Sequence, residues 1–366
     1  MSRCYLLGAG ASVGYTESDE IRPPGSTEFL IKGRDLGILD EDVLPDLCQK
    51  IRDRNDGDKP ISEMSDEDLD VDIEDFLIEL EESYDKIDWN SVAGRALGQS
   101  IFFIYELLRR YSVVGDMNDN YYRDLARIRR KTPYEVISLN YDTLFERALS
   151  FEGYGVNYYQ QPKGRGDFIN AINMLRTPPR TKAEWPDGFV NVAKIHGSIN
   201  WMLNPRGHMP AQSDTIVDVS KVFLEYKFNN VIMGGSPPYR MFPHHRLRDT
   251  DYTDLVRTRT DWDHPMIIPP TGLHKKYEQF DYYTASKRMA REILQRTDEL
   301  VIIGCSLRGY DDLLNDLLQE YLSPDVDVTV ACRSSNADVI ETMSEIVETQ
   351  PDSYYSFSDY IEAQDL

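Results

Sequence analysis

The stretch RCYLLGAGAS occupies residues 3–12. Its first half, 3–7, is a short apolar run stopped by Gly8, the pattern of a buried strand in a parallel sheet. Gly8 and Gly10 follow at once. Glycine permits a tight turn and lets the backbone come close to a pyrophosphate, whose charge free N–H groups can neutralise. Ser12 adds a hydroxyl. The match to the oxidoreductase dinucleotide fingerprint is incomplete. Val13 stands where the third glycine belongs, and no second strand ending in Asp or Glu follows about 20 residues on. Taken alone, the loop is also explained as a plain strand-to-helix turn.

Outward from this stretch, strands alternate with helices. Residues 134–139 (YEVISL), 189–195 (FVNVAKI), 265–270 (PMIIPP), 299–303 (ELVII) and 326–332 (VDVTVAC) read as strands. Helices are expected at 143–149, 276–297, 311–321 and 336–349. Before the second strand, Ile73, Phe76, Leu77, Leu80 and Tyr84 recur at helical spacing, and Leu97, Ile101, Ile104 and Leu108 repeat the pattern. A third helix is expected over 119–130. Residues 17–35 and 160–188 read as loop, and the acidic stretch 52–70 as an exposed loop. The expected fold is α/β: a Rossmann-like parallel sheet with helices on both faces. One domain spans 1–366, with a helical insertion at about 36–130 and a loop-rich insertion at about 201–265.

Composition narrows the function. The 40 Lys and Arg against 63 Asp and Glu give a net charge of −23, a field that repels phosphate backbones and disfavours general nucleic-acid binding. Hydrophobic residues at 41% and aromatics at 11% exclude a disordered chain. No apolar run reaches the roughly 18 residues of a membrane span, and the N-terminus does not read as a signal peptide. A cytoplasmic protein is expected. Cys4, Cys48, Cys305 and Cys332 are scattered without a CxxC pair, which argues against a disulfide framework or structural zinc. Cys4 and Cys332 read as small buried hydrophobes.

In parallel sheets ligands gather at the carboxyl ends of strands, and the polar clusters fall there. Asn140 and Asp142 follow the second strand; a buried Asn can both donate and accept, while Asp142 suits a helix N-cap as well as a ligand contact. His196 follows the strand at 189–195 and is a candidate general base. Gly304 and Ser306 end another strand, where a hydroxyl suits an adenosine ribose. Asp311 and Asp312 read as complements to a helix dipole. His208, His244, His245, His264 and His274 show no HxH or HxxxH spacing, so no metal is expected. No GxSxG elbow supports a serine hydrolase.

Four motifs occur in order: GAGAS (8–12), SLNYD (138–142), KIHGSINW (194–201) and IIGCSLRGYDD (302–312). Together they resemble the sirtuin-like, NAD-consuming family, in particular its bacterial branch in anti-phage defence and toxin systems. The resemblance implies a Rossmann-like domain binding NAD in an inverted pose. It puts Gly8, Ala9, Gly10 and Ser12 at the pyrophosphate and makes Asn140 order the nicotinamide ribose. It gives Asp142 the nicotinamide end, makes His196 the catalytic base, and sets Gly304 and Ser306 at the adenosine ribose, with Cys305 replacing a threonine. Deacylating members carry a four-cysteine zinc module after the HG motif. Residues 198–300 contain no cysteine, which shifts the expectation from deacylase toward NAD hydrolase.

The expected function is an NAD glycohydrolase releasing nicotinamide and ADP-ribose, acting as a gated NAD-depleting effector of abortive infection. Gating implies a homo-oligomer or an activating protein partner, for instance an ATPase or other sensor encoded nearby. The competing readings are a non-catalytic NAD or ADP-ribose sensor, an NAD-dependent deacylase or ADP-ribosyltransferase, and an interaction module working through the acidic insertion.

Overall fold

Arg3–Leu7 (β1) lies at the middle of a seven-stranded sheet in which every pairing is parallel. On one side of β1 come Tyr134–Ser138 (β2), Phe189–Lys194 (β4) and Gly155–Asn157 (β3); on the other, Glu299–Ile303 (β8), Asp327–Ala331 (β9) and Asp352–Tyr354 (β10). The order β10-β9-β8-β1-β2-β4-β3 reverses direction between β1 and β8. That reversal opens the crevice where α/β sheets bind ligands. Gly197–Leu203 (β5), Arg240–Met241 (β6) and His264–Ile267 (β7) form a small antiparallel sheet beside it. The computed structural model describes residues 2–18, 22–55, 57, 59–82, 92–114, 120–158, 189–203, 240–241, 264–268, 281–307, 311–333 and 336–364.

Strands β1 and β8 bury every residue after the first, as strands covered on both faces must. The flanking helices supply that cover. Leu144–Phe151 (α8) follows β2, and Asp281–Leu294 (α9) packs on β2 and β4. Asp312–Tyr321 (α10) follows β8, while Asn336–Ile346 (α11) and Phe357–Glu362 (α12) lie against β9. The strands and helices expected for this sheet lie at or within a few residues of their places, while β3, β10 and α12 are two strands and a helix that the sequence reading did not expect.

Among the described residues seven α-helices stand between β1 and β2: Ala9–Val13 (α1), Phe29–Asp35 (α2), Pro45–Arg54 (α3), Asp66–Leu69 (α4), Ile73–Glu82 (α5), Val92–Val114 (α6) and Tyr121–Ile128 (α7). The long α6 lies against α2, α3 and α5. Two loop expectations need correction here. Residues 29–35 are helical, because Phe29 and Leu30 anchor them in the core. The acidic stretch 52–70 is largely structured. Ile61, Met64 and Leu69 are buried between its carboxylates, Ser65 caps α4 through a reciprocal bond with Asp68, and Arg34 reaches Asp66 Oδ1 at 2.6 Å. Sparse apolar residues among many charges carry no helical period, so the pattern hid the anchoring. The loop at 160–188 and nearly all of the insertion at 201–265 lie outside the described residues, as do His208, His244, His245 and His274. Within 201–265, the end of β5, β6 and the start of β7 are extended.

Candidate functional site

The loops leaving β1 and β8 interlock through backbone. Gly8 N donates to Ile303 O at 2.9 Å and Gly10 N to Gly304 O at 2.8 Å. Gly304 sits at φ +61°, and a Cβ there would come within 1.9 Å of Ala11 N. A Cβ on Gly8 would come within 2.5 Å of Gly304 O. Only glycine fits this crossing. The expectation of free amides around a pyrophosphate is narrowed accordingly. Gly8, Gly10 and Ala11 already spend their N–H groups inside the protein, Ala11 on Gly8 O at 2.9 Å. These glycines act first as shape, bringing the two loops into contact at the switch point.

Behind the loop, Ser12, Asn140, Asp142 and Tyr122 form a buried network. Ser12 Oγ donates to Asp142 Oδ2 at 2.6 Å, and Asn140 Nδ2 donates to Ser12 Oγ at 2.9 Å. Tyr122 Oη lies 2.8 Å from Ser12 Oγ. An ionised carboxylate only accepts, so the Ser12 proton points at Asp142 and Tyr122 donates to Ser12. Burial and the Asp142 charge push the Tyr122 phenol well above its usual value, which keeps that proton in place. Asp142 Oδ1 meanwhile accepts from Leu144 N at 2.9 Å at the start of α8. Asp142 thus gives one oxygen to the start of α8 and the other to Ser12. The network fixes the Asn140 amide with its nitrogen inward. Its Oδ1 is buried without a partner among the described residues.

His196 stands at the end of β4 at the level of Asn140. The register pairs Ser138 with Lys194, so each of the two residues lies two positions beyond a paired strand end. His196 Nε2 lies 2.9 Å from Asp311 Oδ2, and both side chains are buried. The carboxylate again only accepts, so Nε2 carries the hydrogen, and in the neutral ring Nδ1 is left as a bare acceptor. Nδ1 is buried and has no partner among the described residues. Burial disfavours the imidazolium, but the Asp311 charge, its hydrogen bond, the charge of Glu74 and a hydrogen bond from the imidazolium to the Ile268 backbone outweigh that and raise the pKa above its usual value. Asp311 Oδ1 accepts from Leu314 N at 3.2 Å, capping α10.

Under these strand ends lies a buried ion pair, Lys194 Nζ to Glu146 Oε1 at 2.8 Å. Lys194 also donates to the Asp142 backbone carbonyl, tying the pair to the site. Burial raises the Glu146 carboxyl, and Lys194 opposes that rise. A cavity of about 400 Å³ opens at the switch point. Gly8, Ala9, Gly10, Gly304 and Ser306 line it, while Ser12, Asn140, Asp142 and His196 lie outside its lining. Its volume is within the range of ordinary ligand pockets, roughly 300–1,000 Å³. Glu74 and Arg333 also line it.

Asp311, Tyr122, Lys194, Glu146, Glu74 and Arg333 were not among the expected site residues. Asp311 was within reach, since it lies inside the motif at 302–312, but its cap role concealed the second contact. Tyr122 and Glu74 come from the helical insertion, remote in sequence from every motif. All four cysteines are buried, and none is in a disulfide.

The model of the SIR2-like domain matches residues 134–335, more than half of the chain. This chain belongs to the SIR2-like family. The match spans three of the four motifs, with GAGAS upstream of it. Membership brings an NAD-utilising enzyme family and the Rossmann-like sheet seen here. Among solved structures, one described as "Structural Basis for the Mechanism and Regulation of Sir2 Enzymes" is similar at 13% identity and a TM-score of 0.38, covering 98% of this chain and 89% of that one. No curated protein matches the sequence. Among the described residues no helix is long and apolar enough to cross a membrane, and no cluster of His, Cys, Asp or Glu could hold a metal.

Proposed function

We propose that the chain is an NAD glycohydrolase in which Asn140 and His196 act at the nicotinamide ribose. One observation carries the reading. Asn140 Oδ1 and His196 Nδ1 are buried acceptors without partners among the described residues, on adjacent strand ends, in a protein family that uses NAD. Buried polar atoms nearly always find partners. Two neighbouring acceptors suit a ligand that brings hydroxyl donors, as a ribose diol does.

The chemistry is balanced with these groups. The bond from ribose C1′ to the nicotinamide nitrogen breaks, and its electron pair leaves with neutral nicotinamide, so no general acid is needed. Positive charge grows on the ribose. Water attacks C1′, and His196 Nδ1 takes the proton released, directly or through a ribose hydroxyl. Asp311 holds the ring and stabilises the imidazolium formed. Asn140 orients the sugar, which supplies the proximity part of the rate. Gly8, Ala9, Gly10 and Ser12 shape the pyrophosphate end, Asp142 holds Ser12 and so Asn140, and Gly304 and Ser306 face the adenosine ribose.

The wider role is an NAD-depleting effector of bacterial anti-phage defence, from the branch without the zinc module, held in check by oligomerisation or by an activating partner. The ordered motifs and the cysteine-free stretch 198–300 support this assignment. The test is incubation of the purified full chain with NAD and chromatographic separation of nicotinamide, ADP-ribose and cyclic product. Folded Asn140→Ala and His196→Ala should each lose about 10²–10⁴-fold in turnover. Full turnover by folded His196→Ala would refute the mechanism. For the defence role, cellular NAD should fall after phage challenge of a bacterial host carrying the wild type and hold steady with His196→Ala.

A further inference from the structure

Lys194 and Glu146 are buried charges that the chemistry at C1′ does not use, their side chains 0% and 3% exposed. An ion pair taken out of water loses about as much solvation as it regains in attraction, and an apolar pair of similar size is often as stable. Stability alone therefore gives little reason for charges at this place. Hydrogen bonding gives a better one. A lysine ammonium has three donors. One goes to Glu146 Oε1 at 2.8 Å and another to the backbone carbonyl of Asp142. No apolar side chain can fill the second role.

That carbonyl is one of two consecutive carbonyls in the Asn140–Asp142 turn, and the segment that carries His196 holds both. Lys194, two residues before His196, donates to Asp142 O. Three residues after His196, Ile199 N donates to Tyr141 O at 2.8 Å, and Ser198 Oγ donates to the same oxygen at 3.3 Å. His196 is thus bracketed by the donors that grip the turn. Glu146 lies in the first turn of α8, four residues past Asp142, so the ammonium joins the end of β4, the turn and the helix after it. Asn140 opens that turn, and Asp142 reaches it a second time through Ser12.

We propose that Lys194 is a positioning residue: by holding the Asp142 carbonyl it fixes the Asn140 turn against the strand end that carries His196, with Glu146 as its counter-charge. The inference rests on the NAD glycohydrolase reading given above and concerns how its two groups are kept in register. A misplacement of about 1 Å can cost on the order of 10²-fold in rate, so one lost tether is measurable.

The experiment compares the full wild-type chain with two variants. Lys194→Met/Glu146→Leu removes both charges and the donor, with Lys194→Met/Glu146→Met as its substitute if the leucine packs poorly. Glu146→Gln keeps the amine on Asp142 O. Urea midpoints establish that each is folded under the assay conditions. In the double variant kcat for NAD cleavage should fall at least about tenfold and KM should change by less than about threefold, while the midpoint stays near the wild-type value. Glu146→Gln should keep about a third or more of the wild-type kcat, even with a lower midpoint. Wild-type kcat in the folded double variant would overturn the inference, as would an equal loss in Glu146→Gln. A second readout needs no turnover. The side-chain amide NMR signal of Asn140, assigned by its absence in Asn140→Ala, should shift in the double variant and hold its place in Glu146→Gln. An unmoved signal in the double variant overturns the inference even where the wild type cleaves NAD. A wild type that cleaves no NAD overturns the glycohydrolase reading alone, and the amide signal still decides whether Lys194 positions Asn140.

Discussion

Replacing Asp311 by asparagine removes one charge and little else. Asparagine caps helices as well as aspartate does, so the bond from Leu314 N to position 311 survives in kind. What is lost is the charge-assisted contact to His196 Nε2, 2.9 Å long and buried on both sides. Hydrogen bonds to charged groups are worth about 1.5–3 kcal/mol, and each 1.4 kcal/mol is a tenfold change in proton affinity. Without the carboxylate, burial dominates, and the His196 pKa should drop below its usual value of about 6.5.

The sign follows from linkage. In the wild type the folded pKa of His196 is raised. The stability it contributes is therefore fully present below the unfolded value and is lost as pH rises through the folded one. Asp311→Asn should be less stable than the wild type by about 1.5–3 kcal/mol at pH 5, and the gap should narrow as pH passes above the folded pKa of His196. The assays are urea unfolding midpoints across pH and the titration of the His196 ring signal by NMR, assigned by substitution among six histidines. Turnover of NAD should fall by up to about 10²–10⁴-fold, since the ring is left without its orienting charge. If the His196 signal titrates at the same pH in both proteins, the assignment of its raised pKa to Asp311 is wrong.

Gly304→Ala should be far costlier than Gly37→Ala, although both glycines have positive φ, +61° and +64°. At Gly37 nothing lies within 4 Å of the added methyl, so only the left-handed backbone counts, about 1–2 kcal/mol. At Gly304 the β1 and β8 loops must separate; equal losses in thermal unfolding would discount the interlock. Lys194→Met should cost about 3–5 kcal/mol by stranding the buried Glu146. Adding Glu146→Gln should recover most of that loss, as read by denaturant midpoints in a double-mutant cycle. Alkylation at pH 8 should label under one equivalent of thiol in the native protein and four after unfolding, because all four cysteines are buried and burial raises the thiols of Cys4, Cys305 and Cys48, the last to about 12. Full labelling of the native chain would show that these side chains are not held in the core.

The sheet was legible because parallel strands buried on both faces read as unbroken apolar runs, as in CYLL, YEVIS and ELVII. Each strand end carried the polar motif that the fold brings to the switch point. Short pieces escaped: β3, β10 and α12 are three to six residues long and carry too little pattern. The acidic insertion misled for a different reason. Its carboxylates outnumber the buried Ile61, Met64 and Leu69, so composition pointed to solvent where three anchors decide the packing. The site was legible in its strand-end residues and illegible wherever a partner came from elsewhere in the chain. Tyr122 reaches Ser12 across 110 residues, and Asp311 reaches His196 across 115. No local spacing encodes such pairs.

Asp142 and Asp311 share one design. Each begins a helix and spends one oxygen on a backbone amide of its first turn, Leu144 N or Leu314 N. Each gives its second oxygen to a side chain that leads to an unpartnered acceptor: through Ser12 to Asn140, or directly to His196. Because an ionised carboxylate only accepts, it dictates where the partner's hydrogen lies. One Asp thereby leaves the Asn140 carbonyl oxygen buried without a partner among the described residues, and the other does the same for Nδ1 of the neutral His196 ring. A helix cap is rigid, since its geometry is set by the start of the helix and the strand before it. Orienting groups anchored there hold their partners without long flexible side chains, which is what a site that must fix a sugar while charge develops requires. Capping a helix and orienting a neighbouring side chain are thus one arrangement at both positions, one carboxylate oxygen given to each.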